Sequence, residues 1–219
     1  MRPMSRCCSP AGYRWVFSER RARADGERYR RRGLDTTSRR VVRMLSRRPV
    51  AGTVLEIGGG IGALQVELLR MGAARATNVE LIPTYEATAQ ALLREAGLED
   101  RVQRRVMDFV TASDGVEPAD VVVMNRVVCC YPDMPRLVGA AAERTRDRLV
   151  ISYPLPRWWI RLGLGLGNLL LRVLSRQFQV FVHPPSAIRE AAEARGLKAV
   201  AKDSGTLWEI VCLQRAQQE

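Results

Sequence analysis

Short apolar runs alternate with longer amphipathic stretches over most of the chain. Runs rich in Val, Ile and Leu are typical of buried strands, and apolar residues three and four positions apart are typical of helices packed on a sheet. The alternation predicts an α/β fold with a mostly parallel sheet of seven strands and helices on both faces. The predicted strands are Thr53–Ile57, Ala76–Glu80, Arg101–Met107, Asp120–Met124, Arg148–Ser152, Lys198–Lys202 and Leu207–Leu213.

The stretches between these strands have helical spacing. In the first of them, Val41 and Leu45 share one face, and Asp35 or Thr36 is suited to cap the start. The link between the last two strands contains Gly205 and is of hairpin length, which predicts antiparallel pairing there. The predicted helices are Thr36–Arg47, Ala63–Met71, Thr84–Ala96, Met134–Thr145 and Ser186–Arg195.

Length and composition are those of one globular domain, but the charge is unevenly spread. The chain has 219 residues, of which 47% are hydrophobic. Residues 1–48 carry 15 Arg and 4 acids, whereas residues 49–219 carry 20 basic and 19 acidic residues. We interpret residues 1–25 as an Arg-rich mobile segment and residues 26–219 as a single domain. A solvated helix face explains the arginines better than nucleic-acid binding, and contact with a polyanion or an anionic lipid is the alternative.

Two further patterns bear on location and metal content. No apolar run of secretory-signal length follows Met1, so we expect a cytoplasmic protein. The five cysteines include the adjacent pairs Cys7-Cys8 and Cys129-Cys130 and lack the spacing of a zinc site. We therefore expect reduced thiols and no metal.

The most informative motif is the sequence VLEIGGGIG at residues 54–62, an apolar strand that runs into a glycine-rich turn before a helix. Glycine allows a ligand to approach the backbone closely and allows positive φ. Two acids follow later strands: Glu80 can accept hydrogen bonds from ribose hydroxyls, and Asp108 can accept one from an adenine amino group beside the ring of Phe109. Together they predict a nucleotide-like ligand.

These residues resemble the class I S-adenosylmethionine-dependent methyltransferases, whose E/DxGxGxG motif matches Glu56, Gly58, Gly60 and Gly62. The resemblance covers residues 36–153 and implies a Rossmann-like fold, a C-terminal antiparallel hairpin and S-adenosylmethionine as the cofactor. It implies that Glu56 and the turn hold the methionine end, that Glu80 holds the ribose, and that Asp108 and Phe109 hold the adenine. The full predicted set of cofactor-binding residues is Glu56, Gly58, Gly60, Gly62, Glu80, Leu81, Asp108, Phe109 and Asn125.

Two other function classes stay open. An NAD-dependent oxidoreductase would use the same turn, since Gly58, Gly60 and Ala63 satisfy GxGxxG/A, but the chain has no Tyr-x-x-x-Lys pair and no room for a separate substrate domain. A non-catalytic protein could keep the cofactor fold and use its Arg-rich start to hold RNA or a membrane. Measurement of turnover separates this class from an enzyme.

The exit of the fourth strand, residues 125–133, faces the reacting methyl group in such a fold. We expect Arg126 and Tyr131 to bind the acceptor. If the reaction needs a base, the candidates are Tyr131, Asp133 and His183. Cys129 and Cys130 are interpreted as small buried hydrophobes rather than a site for a soft metal or metalloid.

An apolar insertion at about residues 154–182 contains Trp158 and Trp159, which we expect to line or cover the acceptor pocket. The segment is too short and too charged to span a bilayer, and a helix at a membrane surface or ordinary core packing are the alternatives. Together with the approach to the glycine turn, the segment is distantly similar to magnesium-protoporphyrin methyltransferases. That similarity implies a bulky, partly apolar small-molecule acceptor and leaves its identity and the oligomeric state open.

Overall fold

The computed structural model describes residues 10–174 and 177–216, so Cys7 and Cys8 lie outside the described residues. The helices are α1 (Pro10–Val16), α2 (Glu19–Arg32), α3 (Thr36–Leu45), α4 (Ala63–Arg70), α5 (Glu86–Ala96), α6 (Phe109–Ala112), α7 (Met134–Glu143), α8 (Trp158–Val173) and α9 (Pro185–Glu193). The strands are β1 (Thr53–Ile57), β2 (Arg75–Glu80), β3 (Val102–Val106), β4 (Ala119–Asn125), β5 (Thr145–Pro154), β6 (Leu197–Ser204) and β7 (Trp208–Arg215).

The strands form one sheet in the order β3-β2-β1-β4-β5-β7-β6. Strands β1 to β5 run parallel, and β7 pairs antiparallel with both β5 and β6. The predicted fold class, including the C-terminal hairpin, is confirmed. Strand β5 is longer at both ends than predicted because it pairs with β4 on one edge and with β7 as far as Pro154 on the other.

Alternate residues of β1 enter two separate cores. Leu55 and Ile57 pack with α7 and α9 on one face, whereas Val54 packs with α3 and α4 on the other. All three side chains are buried. Burial on both faces is typical of a central parallel strand, and it fixes the position of the turn that follows β1.

The mobile segment that we predicted covers residues 1–25, of which residues 1–9 lie outside the described residues. Residues 10–16 and 19–32 are helical, and Ser18 caps the second helix. Ala22 is fully buried against Ile61, Tyr85 and Leu92, so α2 is packed on the domain and its arginines occupy the outer side. The composition concealed this because Arg dominates the outer positions of α2.

Within residues 10–174 and 177–216, no helix combines the length and the apolar character that crossing a bilayer requires. The same ranges hold no group of three or more His, Cys, Asp or Glu side chains placed to share a metal ion.

Candidate active site

A cavity of about 590 Å³ opens at the carboxyl ends of β1, β2 and β4. Strand β1 lies between β2 and β4 in the sheet. The strands that follow β1 directly, β2 and β3, lie on one side of it, and β4 and β5 lie on the other, so the strand order reverses at β1. Ligands of open α/β sheets bind at such a switch point. The volume is within the range of about 300–1,000 Å³ that is usual for small-molecule sites.

The turn after β1 forms one wall of the cavity and requires its glycines. Gly58, Gly60 and Gly62 have φ of +67°, +58° and +74°, a region that other residues rarely adopt. A Cβ at Gly59 would lie 2.1 Å from Asn78 Nδ2, which leaves no room for a side chain. Gly58, Gly59 and Gly60 line the cavity, whereas Gly62 lies outside its lining and begins α4.

Two buried carboxylates flank this turn. Glu80, at the end of β2, accepts a hydrogen bond from the Gly60 backbone N–H, and Glu56 accepts one from Asn78 Nδ2 at 3.3 Å. Burial raises the pKa of Glu56 to about 8, although the positive charge of Arg104 opposes the shift. Burial likewise raises the pKa of Glu80 to about 7, and the bond from Gly60 opposes the shift. Both carboxylates line the cavity.

Arg104 is hydrogen-bonded to the glycine turn, a role that the sequence did not suggest. Its Nη2 donates to the Gly60 carbonyl at 3.0 Å and to Glu86 at 2.7 Å, and only 6% of its side chain is exposed. The residue lies in the middle of β3, in the polar run VQRRV, and nothing in that run distinguishes it from its neighbour Arg105. The guanidinium fixes the turn to α5.

Asp108 and Phe109 meet at the end of β3, and both line the cavity. Asp108 caps α6 by accepting from the Val110 N–H at 3.0 Å. The Tyr131 hydroxyl lies 3.2 and 3.3 Å from the two oxygens of Asp108. Burial and the nearby Asp108 charge raise the pKa of Tyr131, which disfavours the phenolate that a base would need.

At the exit of β4, Asn125 and Arg126 line the cavity as predicted, but each is already engaged. Asn125 Nδ2 donates to Ser38 Oγ at 2.9 Å, and its Oδ1 accepts from Ser152 Oγ at 2.7 Å. Arg126 has φ of +62° and donates to Asp35 at 2.8 Å. Burial acts to raise the pKa of Asp35, but Arg126 and the Ser38 hydroxyl hold it below its usual value. These bonds tie α3 to the exit of β4.

The two thiols that follow both line the cavity. Cys129 Sγ lies 3.7 Å from Cys130 Sγ, and this contact lowers the pKa of Cys129 against the opposing effect of burial. Cys129 is buried and belongs to the core, in keeping with its interpretation as a small hydrophobe.

Besides Gly62, four predicted residues lie outside the lining of the cavity. His183 places Nε2 3.2 Å from the Tyr131 carbonyl oxygen, and burial lowers its pKa. Asp133 caps α7 by accepting from the Arg136 N–H. Trp158 and Trp159 stand at the start of α8 and face solvent, so they do not form the acceptor wall. Leu164 is the residue of α8 that reaches the cavity.

The lining of the cavity includes a cluster of three aromatic rings that the sequence did not lead us to predict. The Tyr13 and Phe17 rings each meet Phe178 edge to face, with ring centres 5.3 and 5.6 Å apart. The Tyr13 hydroxyl donates to the Cys130 carbonyl, which fastens α1 over the exit of β4. A signal was present, because Tyr13 and Phe17 stand four residues apart in an Arg-rich stretch and so share one helix face.

Comparison with known proteins agrees with this geometry. A sequence model described as a methyltransferase domain matches residues 27–202. A search of curated proteins finds no significant match.

Solved methyltransferase structures share the fold at low sequence identity. Magnesium protoporphyrin IX methyltransferase from Synechocystis, with bound S-adenosylhomocysteine, aligns with a TM-score of 0.68 and 16% identity over 94% of this chain and 93% of that one. An O-methyltransferase family protein from Burkholderia thailandensis gives 0.71 and 20% over 94% and 63%. Human N-acetylserotonin methyltransferase, with bound S-adenosylmethionine, gives 0.65 and 18% over 94% and 58%.

Proposed function

Because the chain belongs to the methyltransferase domain family, we propose that its cavity binds S-adenosylmethionine and that the enzyme methylates a bulky, partly apolar small molecule. The observation that carries the proposal is one cavity that is lined both by carboxylates with a glycine turn and by a cluster of aromatic rings. Similar proteins with bound S-adenosylmethionine or S-adenosylhomocysteine support the choice of cofactor.

The donor and acceptor groups fit this cofactor. The Glu80 carboxylate accepts from the Gly60 backbone and is also hydrogen-bonded by the Leu81 backbone, and its two oxygens have further acceptor positions for the two ribose hydroxyls. Asp108 offers a carboxylate beside the Phe109 ring, a pairing suited to an adenine amino group and face. The glycine turn leaves its backbone open to the methionine end.

When bound, S-adenosylmethionine supplies a methyl group on a positively charged sulfur, already activated for displacement. The protein then has to align the acceptor with the methyl carbon and exclude water. Tyr13, Phe17 and Phe178 can contribute to both, since their rings pack against one another and line the cavity. A base in the cavity is optional in this scheme, and Tyr131 is the one of the three predicted candidates that reaches it.

The acceptor is inferred from the apolar part of the lining. Aromatic rings, Leu164 and Val180 contribute apolar surface to the cavity, and Arg126, which also lines it, is paired with Asp35. A flat or extended apolar molecule with one polar end suits this surface better than a small hydrophilic metabolite does.

The experiment has two parts. Calorimetry with the full chain should show micromolar binding of S-adenosylmethionine and no comparable binding of NAD. The full chain is then incubated with methyl-deuterated S-adenosylmethionine and a lysate of the source organism, which is split into organic and aqueous fractions for mass spectrometry. We expect labelled products in the organic fraction, and none with Glu80→Ala.

Binding of NAD in place of S-adenosylmethionine would disprove the proposed cofactor. Cofactor binding without any labelled product would favour the non-catalytic binding protein, and label confined to the aqueous fraction would disprove the apolar acceptor.

A further inference from the structure

Helix α8 exposes a continuous apolar face. Trp158, Leu162, Leu166, Leu169 and Val173 are spaced four, four, three and four residues apart, so they share one side of the helix. Their exposure is high, 76% for Trp158 and 71% for Val173. Trp159 and Leu170 widen the same side. A helix on a water-facing surface normally carries polar residues in such positions.

The outward direction of this face is fixed by contacts on the other side of α8. Ile160 is buried, and Leu164 and Leu171 are half-buried against the protein body. Asn168 exchanges two hydrogen bonds with the backbone of Val180, at 2.7 and 2.9 Å. These contacts prevent α8 from turning its apolar face inward.

The charge around the face has one sign. Arg157 precedes the helix, and Arg161 and Arg172 stand eleven residues apart, which places them along the same edge of α8. The sequence contains no Asp or Glu between Asp147 and Glu190. The face therefore combines a broad apolar surface with a cationic edge, and α8 itself carries no acid.

We propose that α8 docks on an anionic membrane and lies in the plane of the interface, with its apolar face among the acyl chains and its arginines at the lipid phosphates. The charge argues for this partner over a second copy of the chain. Two copies joined through this face would bring arginine edges together with no acid to neutralise them. Arg side chains beside apolar surface can extend to a phosphate layer.

The primary test is co-sedimentation of the full chain with vesicles of phosphatidylcholine alone or mixed with phosphatidylglycerol. We expect binding to the mixed vesicles, and about tenfold or more weaker binding for Leu162→Gln/Leu166→Gln/Leu169→Gln, because three apolar anchors are lost. The control is Val106→Gln/Val200→Gln, which changes two exposed apolar residues on the edge strands β3 and β6. Equal binding of both variants, or absence of binding by the wild type, would overturn the proposal.

A second variant separates the role of the charge. Arg161→Gln/Arg172→Gln should abolish the preference for phosphatidylglycerol, and high salt should do the same to the wild type. A preference for anionic vesicles that the variant keeps and high salt abolishes would contradict a role for this edge and assign the attraction to the arginines of α2.

Two measurements guard against a folding defect and against the alternative partner. Fluorescence quenching of the wild type by brominated lipids should be strong and should fall when Trp158→Phe/Trp159→Phe is used, whereas unchanged quenching would place another surface at the membrane. Size-exclusion chromatography with light scattering should give a monomer without lipid. A dimer that the triple Gln variant dissociates would instead assign the face to a second copy.

Discussion

The two ends of the cavity differ in what they are made of and in where their residues come from. At the carboxylate end, the Glu56 and Glu80 side chains are buried on adjacent parallel strands. Glu80 accepts a hydrogen bond from the glycine turn, and Glu56 accepts one from Asn78. At the aromatic end, Tyr13, Phe17 and Phe178 are rings from segments that lie outside the sheet. The first end is fixed by strand register, and the second by packing between α1 and the segment after α8.

The difference has a functional consequence. Buried charges with set partners are suited to one invariant ligand, because any change in that ligand leaves a charge unpaired. Packed rings tolerate changes of shape at smaller cost. The carboxylate end therefore suits a cofactor common to many enzymes, and the aromatic end suits an acceptor that varies among them.

The largest expected effect comes from removing a carboxylate. Glu80→Ala should weaken S-adenosylmethionine binding more than about a hundredfold, since two charge-assisted hydrogen bonds of about 1.5–3 kcal/mol each are lost. Calorimetry measures the change. Glu143→Ala, which breaks an exposed ion pair with Arg195 outside the cavity, is the matched control. Affinities within a factor of about three for both variants would refute the assignment of Glu80.

The next largest effect should be a loss of product formation without a matching loss of cofactor affinity. Phe17→Ala/Phe178→Ala removes two rings, and at about 1 kcal/mol for each lost aromatic contact we expect product formation in the organic fraction to fall about thirtyfold. Cofactor affinity should change less than about threefold. Phe181→Ala is the control, because this ring stacks on His183 and lies outside the cavity lining. A parallel loss of cofactor affinity and product would erase the distinction between the two ends.

The sequence predicted the carboxylate end well because strands and glycine turns leave local patterns. Gly58, Gly60, Glu80 and Asp108 were all identified, and all line the cavity. The aromatic end was missed because its residues come together from positions more than 160 residues apart, and only the fold brings Tyr13 to Phe178. Trp158 and Trp159 were expected to line or cover the acceptor pocket, but their place relative to the cavity also depends on the fold, and they lie outside its lining.

A third, smaller effect follows from the pKa of Glu80, which burial raises to about 7. Only the ionised form can accept from both ribose hydroxyls, so S-adenosylmethionine affinity should rise about tenfold between pH 6 and pH 8. The folding stability of the unliganded protein should depend on pH in the opposite direction. Glu80 contributes its full stabilisation below its ordinary pKa of 4.5, and this contribution is lost as the pH rises through about 7. Glu80→Gln should remove this contribution from both profiles, in calorimetry and in thermal melts, and leave that of Glu56, whose pKa is about 8.

The smallest expected effect tests whether the contact between Tyr131 and Asp108 serves cofactor binding or methyl transfer. The Tyr131 hydroxyl is a donor to Asp108, and its raised pKa disfavours a role as a base. Tyr131→Phe keeps the ring and removes one hydrogen bond, worth about 0.5–1.5 kcal/mol, so we expect cofactor affinity to fall about threefold to tenfold and single-turnover methyl transfer at saturating cofactor to stay within about threefold of wild type. Asp108→Asn should weaken the cofactor more strongly, because Asp108 also loses its charge. If Tyr131→Phe instead slowed methyl transfer about a hundredfold or more and removed its pH dependence, Tyr131 would be the base after all, and the chemistry would depend on the polar residues next to the cofactor rather than on alignment by the aromatic end.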